Sequence, residues 1–276
     1  MMRRRANLTG LALYLLLGLG ALAMLFPFAW MVSTSFKPDR ELFITPPQLI
    51  PAMLSPANYA RIWNDFPISR FLINSMAVAL ITTSLQVATS AMSAYAFARL
   101  RFRGRDALFV IYLATLMVPF QVTVVPLFVE MRDLGFVNSY PGLILPGIAS
   151  AFGTFLLRQA FLALPKELDE AAFIDGAGHW TVFTQIVLPL AGPALATFSV
   201  FAFMASWNSF LWPLVVVNSQ NLMTLPVGLA NLQGRYVTAW NLVMAGSTIS
   251  VIPIIALYAI AQKYVIQGFT LSGIKG

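Results

Sequence analysis

The stretch that decides the fold is residues 71–98, FLINSMAVALITTSLQVATSAMSAYAFA, which contains no charged side chain. A helix needs about 20 predominantly apolar residues to cross the hydrocarbon core of a bilayer. This run is 28 residues long, so it predicts a transmembrane helix. The same criterion, applied outward along the chain, predicts six spans, near residues 11–33, 71–97, 107–129, 141–162, 190–217 and 239–262.

The composition also indicates a membrane protein. Of the 276 residues, 59% are apolar and 10% are charged, against about 45–50% and about 25% in soluble domains. A soluble fold of this kind would expose a large apolar patch, which disfavours a cytosolic enzyme, a nucleic-acid-binding domain and a disordered chain. The chain has no cysteine, which excludes disulfides and Cys-based sites. We expect neither a catalytic residue nor a metal site.

Basic residues fall unevenly on the two sides of the predicted membrane. The side with both termini and the loops at 98–106 and 163–189 has eleven Lys and Arg residues, and the other side has six. Because cytoplasmic loops are enriched in Lys and Arg, the predicted topology places both termini in the cytoplasm. The basic run at 99–105 is interpreted as an anchor on anionic lipid rather than as a nucleic-acid site.

The predicted spans have no Asp, Glu, His or Lys at mid-membrane depth. Ion-coupled and proton-coupled carriers usually keep such a group there, so energy is expected to enter elsewhere. Prolines inside the spans are expected at kinks or near a cavity, and they are Pro27, Pro119, Pro126, Pro213 and Pro253.

The loop at 163–189 is predicted to form two short helices joined by a turn. Pro165 suits a first helical position, Glu167 and Asp169 suit the first turn, and Gly176 and Gly178 can end the helix in a left-handed conformation. An apolar stripe at three-residue spacing follows, formed by Trp180, Phe183 and Ile186. Such a stripe is expected to lie against the bundle.

The same loop resembles a family signature. The sequence Glu170-Ala171-Ala172, then Gly176, Ile186 and Leu188-Pro189, is similar to the EAA motif of inner-membrane permease subunits of binding-protein-dependent ABC importers, and Asp175 extends the match. The tail at 262–276 is similar to the C-terminus of the smaller permease subunit in carbohydrate importers of the maltose and glycerol-phosphate type. The resemblance implies an all-α, type I ABC importer permease fold. Residues 1–276 would form one transmembrane domain in the inner or plasma membrane of a prokaryote.

The resemblance also implies a division of labour between subunits. The EAA loop at 163–189 would be a cytoplasmic coupling loop that contacts a separate ATPase through Glu170, Ala171, Ala172, Asp175, Gly176, Ile186, Leu188 and Pro189. The tail at 263–276 would add contacts through Gln267, Gly268, Ser272, Gly273 and Lys275. This chain has no Gly-Lys pair and hence no P-loop, so ATP and Mg would be bound by the ATPase, and this chain is not expected to be an enzyme. A second permease, an extracytoplasmic solute-binding protein and membrane lipid are the other implied partners, and nucleic acid is not one.

The substrate is less well defined by the sequence. Aromatic faces beside amide groups suit a sugar ring, and the candidate pathway residues are Asn208, Trp207, Trp212, Gln121 and Asn74. The same residues could serve only in packing. The imported solute is expected to be a carbohydrate, with glycerol 3-phosphate or another polyol phosphate as the alternative. An ion-coupled secondary transporter and a channel or structural membrane protein are the remaining alternatives.

Overall fold

The computed structural model describes residues 2–233 and 238–273, with the side chains of residues 10, 13–233 and 238–262. The α-helices of these residues are α1 Met2–Ser35, α2 Ala57–Asp65, α3 Ile68–Arg99, α4 Arg105–Ala114, α5 Phe120–Asp133, α6 Tyr140–Ile144, α7 Ala151–Ala163, α8 Glu167–Ile174, α9 His179–Thr181, α10 Leu188–Leu190, α11 Gly192–Trp207, α12 Leu211–Val216, α13 Leu225–Ala230 and α14 Trp240–Gly273. Short 3-10 helices lie at Asp39–Glu41, Thr115–Met117, Leu145–Gly147 and Gln220–Leu222, and a π-helix at Val182–Val187. One isolated bridge, between Gln233 and Thr238, is the only β pairing of the described residues. The predicted all-α class is confirmed.

Three helical segments are each long and apolar enough to cross a membrane alone, namely Leu13–Ser35, Ile68–Arg99 and Trp240–Gln262. Three bent pairs qualify only when taken together, namely Arg105–Met117 with Phe120–Asp133 (100°), Tyr140–Gly147 with Ala151–Ala163 (46°), and His179–Leu190 with Gly192–Trp207 (79°). By length and composition, the described helices therefore permit three membrane crossings, or up to six if each pair forms one span. Each of the six predicted spans overlaps one of these segments, and the number six stays a prediction.

The helix breaks have local causes. Val118 is extended, because a residue that precedes proline is disfavoured in the helical region, and Pro119 then precedes α5. This break divides the predicted span at 107–129. Ser150 precedes α7, and its hydroxyl accepts a hydrogen bond from the backbone N–H of Gly153 at 3.0 Å, as an N-cap residue does. The predicted span at 190–217 is also divided, since α11 ends at Trp207.

The chain forms two compact units. One comprises residues 1–69 and 229–252, and a buried amide cluster joins its helices. The Asn241 side chain is fully buried and its Nδ2 donates to Asn58 Oδ1 at 3.1 Å and Asp39 Oδ1 at 2.6 Å. Asn58 Nδ2 donates in turn to the carbonyl oxygens of Ser35 and Lys37. These bonds satisfy polar groups that would be costly to bury alone.

The other unit comprises residues 70–228 and 253–276 and contains two apolar clusters. One lies beneath the 163–189 loop and includes Leu157 and Phe161 of α7, Val187, and Phe198 of α11. The second cluster includes Met131, Leu143, Trp212 and Val216. The first cluster supports the loop that holds the EAA-like residues.

Candidate coupling site

The start of α8 concentrates negative charge. Its first turn contains three acidic residues, Glu167, Asp169 and Glu170. The N-terminal end of a helix has a partial positive charge from its free backbone N–H groups, so acidic side chains stabilise it. The sequence therefore forms a helix here although it has only eight residues.

The end of α8 is fixed by a glycine. Gly176 has φ +84°, a left-handed conformation that glycine adopts without the strain of a side chain. Its N–H donates to the Phe173 carbonyl at 3.1 Å, and the Ala177 N–H donates to the Ala172 carbonyl at 2.9 Å. These bonds satisfy the last carbonyl groups of the helix. The expectation for Gly176 is correct, whereas Gly178 is extended, with φ −85°, and precedes α9.

A buried ion pair holds α8 against the end of α3. Arg99 Nε lies 3.2 Å from Asp169 Oδ2, and the two side chains are only 4% and 11% exposed. Arg99 Nη2 also donates to the Leu164 carbonyl at 3.0 Å. The expectation that the 99–105 run is a lipid anchor is thus wrong for Arg99, because this guanidinium is buried among protein groups. Sequence reasoning did not identify Arg99 as part of this site. Its position directly after the charge-free run 71–98 distinguishes it from the other basic residues of 99–105.

All residues of α8 except Asp169 and Ala172 are exposed. Glu170 and Ala171 are exposed, next to exposed apolar side chains at Leu168, Phe173 and Ile174. We call these five residues the outer face of α8. An acidic group surrounded by exposed apolar residues has the composition of a protein docking surface.

Several of the remaining signature residues hold the loop against the bundle. Ala172, Ile186 and Leu188 are partly buried and, together with the neighbouring Ala177, pack on the apolar cluster that includes Phe183. Asp175, the C-cap residue of α8, and Pro189 of α10 are exposed.

The predicted apolar stripe holds for only part of its length. Phe183 is buried, with its ring centroid 5.1 Å from that of Tyr95. Trp180, by contrast, is 67% exposed. Trp180 lies at the outer end of the stripe, with its ring centroid 5.5 Å from that of Phe183. The stripe therefore attaches to the bundle through its second and third members.

Most of the chain matches one family of known proteins. Residues 86–270 match the family described as binding-protein-dependent transport system inner membrane component. The chain belongs to this family. The resemblance inferred from the EAA spacing is confirmed, and the chain is a permease subunit rather than an enzyme.

Curated relatives and a solved structure cover nearly the whole permease. It is 38% identical to the arabinooligosaccharides transport system permease protein of Halalkalibacterium halodurans, over 93% of each chain. It is 36% identical to the sn-glycerol-3-phosphate transport system permease protein of Pectobacterium atrosepticum, over 92% of this chain and 94% of that one. It also matches the crystal structure of a bacterial ABC transporter involved in the import of the acidic polysaccharide alginate, with a TM-score of 0.83 at 26% identity, over 95% of this chain and 98% of that one.

Two of the candidate pathway residues of the permease are asparagines. Asn74 Nδ2 donates to the carbonyl oxygens of Asn221 and Met223, both at 2.9 Å, and its Oδ1 accepts from the Tyr140 hydroxyl at 2.7 Å. Asn208 Nδ2 donates to the Met204 carbonyl at 2.9 Å. These bonds use the amide groups within the protein itself.

The other three pathway candidates have different surroundings. Trp207 is 2% exposed and stacks on Phe203, with centroids 5.8 Å apart. Gln121 is exposed. Trp212 is buried, and its Nε1 donates to the Gly142 carbonyl at 2.9 Å. The structure does not gather the five candidates at one site, and their role in transport stays a prediction.

The predicted tail contacts belong to the end of the permease. Helix α14 continues without a break to Gly273. Of Gln267, Gly268, Ser272 and Gly273 only the secondary structure is described, and Lys275 lies outside the described residues.

Proposed function

We propose that this permease is the membrane-spanning subunit of an ATP-driven importer that moves a carbohydrate, delivered by an extracytoplasmic binding protein, through alternating access. Its curated relatives support this class of substrate, since one is named for arabinooligosaccharides and another for trehalose and maltose. The single observation that carries the proposal is the outer face of α8, an acidic and apolar surface on a loop that is seated firmly on the helices beneath it.

In this proposal the outer face of α8 docks in a cleft of a separate ATPase, where Glu170 meets basic groups. ATP and Mg are bound there, and closure of the ATPase moves α8. Because Asp169 pairs with Arg99 at the end of α3, displacement of α8 also displaces α3. The permease would thereby switch between inward-open and outward-open states.

The complete importer would contain a second permease, two ATPase copies or halves, and the binding protein, all assembled around the lipid-embedded helices. The excess of Lys and Arg on one side favours cytoplasmic positions for both termini and for the 163–189 loop. The tail beyond residue 262 would then reach the ATPase as well.

Import of a polyol phosphate is the second candidate. The observation that favours it is the 36% identity to a permease named for sn-glycerol 3-phosphate. An ion-coupled carrier is less well supported, because the predicted spans have no mid-membrane acidic group, His or Lys, which such carriers usually keep.

The test is ATP-driven uptake in proteoliposomes with the whole complex. We expect Glu170→Lys to reduce uptake at least tenfold while membrane insertion and assembly of the two permeases persist, because like charges would face each other in the docking cleft. Asp133→Lys is the matched control, since Asp133 is an exposed acidic residue that lies outside the 163–189 loop.

Normal uptake by the Glu170→Lys complex would contradict the docking role. The whole proposal would be overturned if the isolated permease moved solute uphill without an ATPase.

A further inference from the structure

A basic pocket of about 530 Å³ lies at the point where α4 begins. Three cationic side chains line it, those of Arg101, Arg105 and Lys166. Arg101 belongs to the loop between α3 and α4, Arg105 is the first residue of α4, and Lys166 directly precedes α8. The fold therefore brings basic residues from two distant parts of the sequence to one pocket.

Two of these cations have no counter-charge within the described chain. The ion pairs of the described residues include neither Arg101 nor Lys166, and both residues are exposed. Among the described lining residues only Asp106 is acidic. Its Oδ1 atom lies 2.9 Å from Arg105 Nε and 4.0 Å from Arg158 Nη2, so its charge is already offset. The pocket thus keeps an excess of positive charge that an anion can neutralise.

The pocket lies at the edge of a predicted membrane span. The charge-free run 107–129 begins at Ala107, which is part of the lining. Beside the cations, Phe102 lines the pocket and is exposed, and Leu108 and Ile111 of α4 are exposed as well. Acyl chains can cover these apolar side chains, whereas an anion dissolved in water would use only the cations. This combination favours a phospholipid over a water-soluble anion.

The predicted side of the membrane also favours such a ligand. The predicted topology places the 98–106 loop and Lys166 on the cytoplasmic side, where anionic lipids attract basic residues and basic pockets between membrane helices bind lipid headgroups. None of the five residues of the outer face of α8 lines the pocket. The proposed ATPase contact therefore does not include it.

We propose that this pocket binds the headgroup of one anionic phospholipid, with its phosphate group contacted by Arg101 and Lys166 and its acyl chains along the exposed apolar side chains of α4. The site goes beyond the proposed transport function, because its ligand is a component of the membrane and not the solute. A bound lipid would link the residue that precedes α8 to the loop between α3 and α4. It would thereby add to the ion pair of Arg99 and Asp169 that holds α8 in place.

The test is native mass spectrometry of the complete importer, purified in detergent and titrated with phosphatidylglycerol. Phosphatidylcholine, which has a phosphate group but no net charge, and inorganic phosphate are titrated in parallel. The variants are Arg101→Gln, Lys166→Gln and the charge-preserving Lys166→Arg. Arg103→Gln is the matched control, because Arg103 is an exposed basic residue of the same loop that does not line the pocket.

We expect the wild type to bind its first phosphatidylglycerol more tightly than phosphatidylcholine. Arg101→Gln and Lys166→Gln should each weaken this affinity about fivefold, the effect of one basic residue near an anionic lipid surface. Lys166→Arg and Arg103→Gln should stay within twofold of the wild type.

Three results would overturn the proposal. Equal weakening by Arg103→Gln, or equal affinity for the two lipids, would reduce the pocket to part of a general basic surface. Binding of inorganic phosphate as tight as that of phosphatidylglycerol would identify a free anion as the ligand. A site present in the isolated permease but absent from the complete importer would assign the pocket to the ATPase instead.

Discussion

At the scale of single residues, Asp169 and Glu170 are neighbouring carboxylates with opposite surroundings. Asp169 is paired with buried Arg99, whereas Glu170 is exposed. Removing one partner of a buried ion pair leaves the other charge uncompensated, at a cost of about 3–5 kcal/mol. We therefore predict that Asp169→Asn lowers the free energy of unfolding of the purified permease by about 3–5 kcal/mol. The measurement is the temperature at which monodisperse protein is lost on heating in detergent, which should fall.

Two variants separate this effect from a general loss of acidic charge. Asp133→Asn alters an ion pair whose partners are both more than half exposed, so it should leave the melting temperature nearly unchanged. Replacing both buried charges, in Arg99→Leu with Asp169→Leu, should recover much of the stability. If Asp169→Asn is no more destabilising than Asp133→Asn, the buried pair does not hold α8 in place.

At the scale of helices, α7 and α11 approach each other closely at Gly153. A Cβ atom at this position would overlap with the ring of Phe198. Alanine is otherwise favoured over glycine inside a helix by roughly 0.5–1 kcal/mol, so the two effects have opposite signs. We predict that overpacking dominates and that Gly153→Ala destabilises the permease by about 1–3 kcal/mol, measured by thermal unfolding in detergent.

Gly192→Ala is the control for that prediction, because a Cβ at Gly192, the first residue of α11, would meet no atom within 4 Å. It should leave the melting temperature unchanged or slightly raised. Equal stability of Gly153→Ala and the wild type would show that α7 and α11 can separate at little cost.

The ends of several helices in this permease can be predicted from sequence patterns. The break before α5 could be anticipated, since a proline restricts its own residue and the one before it, and Pro119 stands at that point. The end of α8 at Gly176 followed from the same kind of local rule. The burial of Asp169 could not be predicted, because a helix of eight residues has too little periodicity to show which acidic side chain faces inward.

At the scale of the whole molecule, the number of membrane crossings determines where the coupling loop lies. The helices permit three crossings, or up to six if each bent pair forms one span. With six, the loops at 98–106 and 163–189 share one side with both termini, and that side has the larger number of Lys and Arg residues. The basic side is the cytoplasmic side in most membrane proteins, so six crossings agree with an ATPase docked at α8.

The chain offers a clean test of this topology because it has no native cysteine. Arg103 and Glu167 are exposed in the loops predicted to be cytoplasmic, and Asp133 is exposed in a loop predicted to face outward. In intact cells, a membrane-impermeant maleimide should label Asp133→Cys but neither Arg103→Cys nor Glu167→Cys, and all three should react once the membrane is opened. Labelling of Glu167→Cys from outside would place α8 beyond the reach of any cytoplasmic ATPase. That result would contradict both the six-span topology and the proposed coupling mechanism.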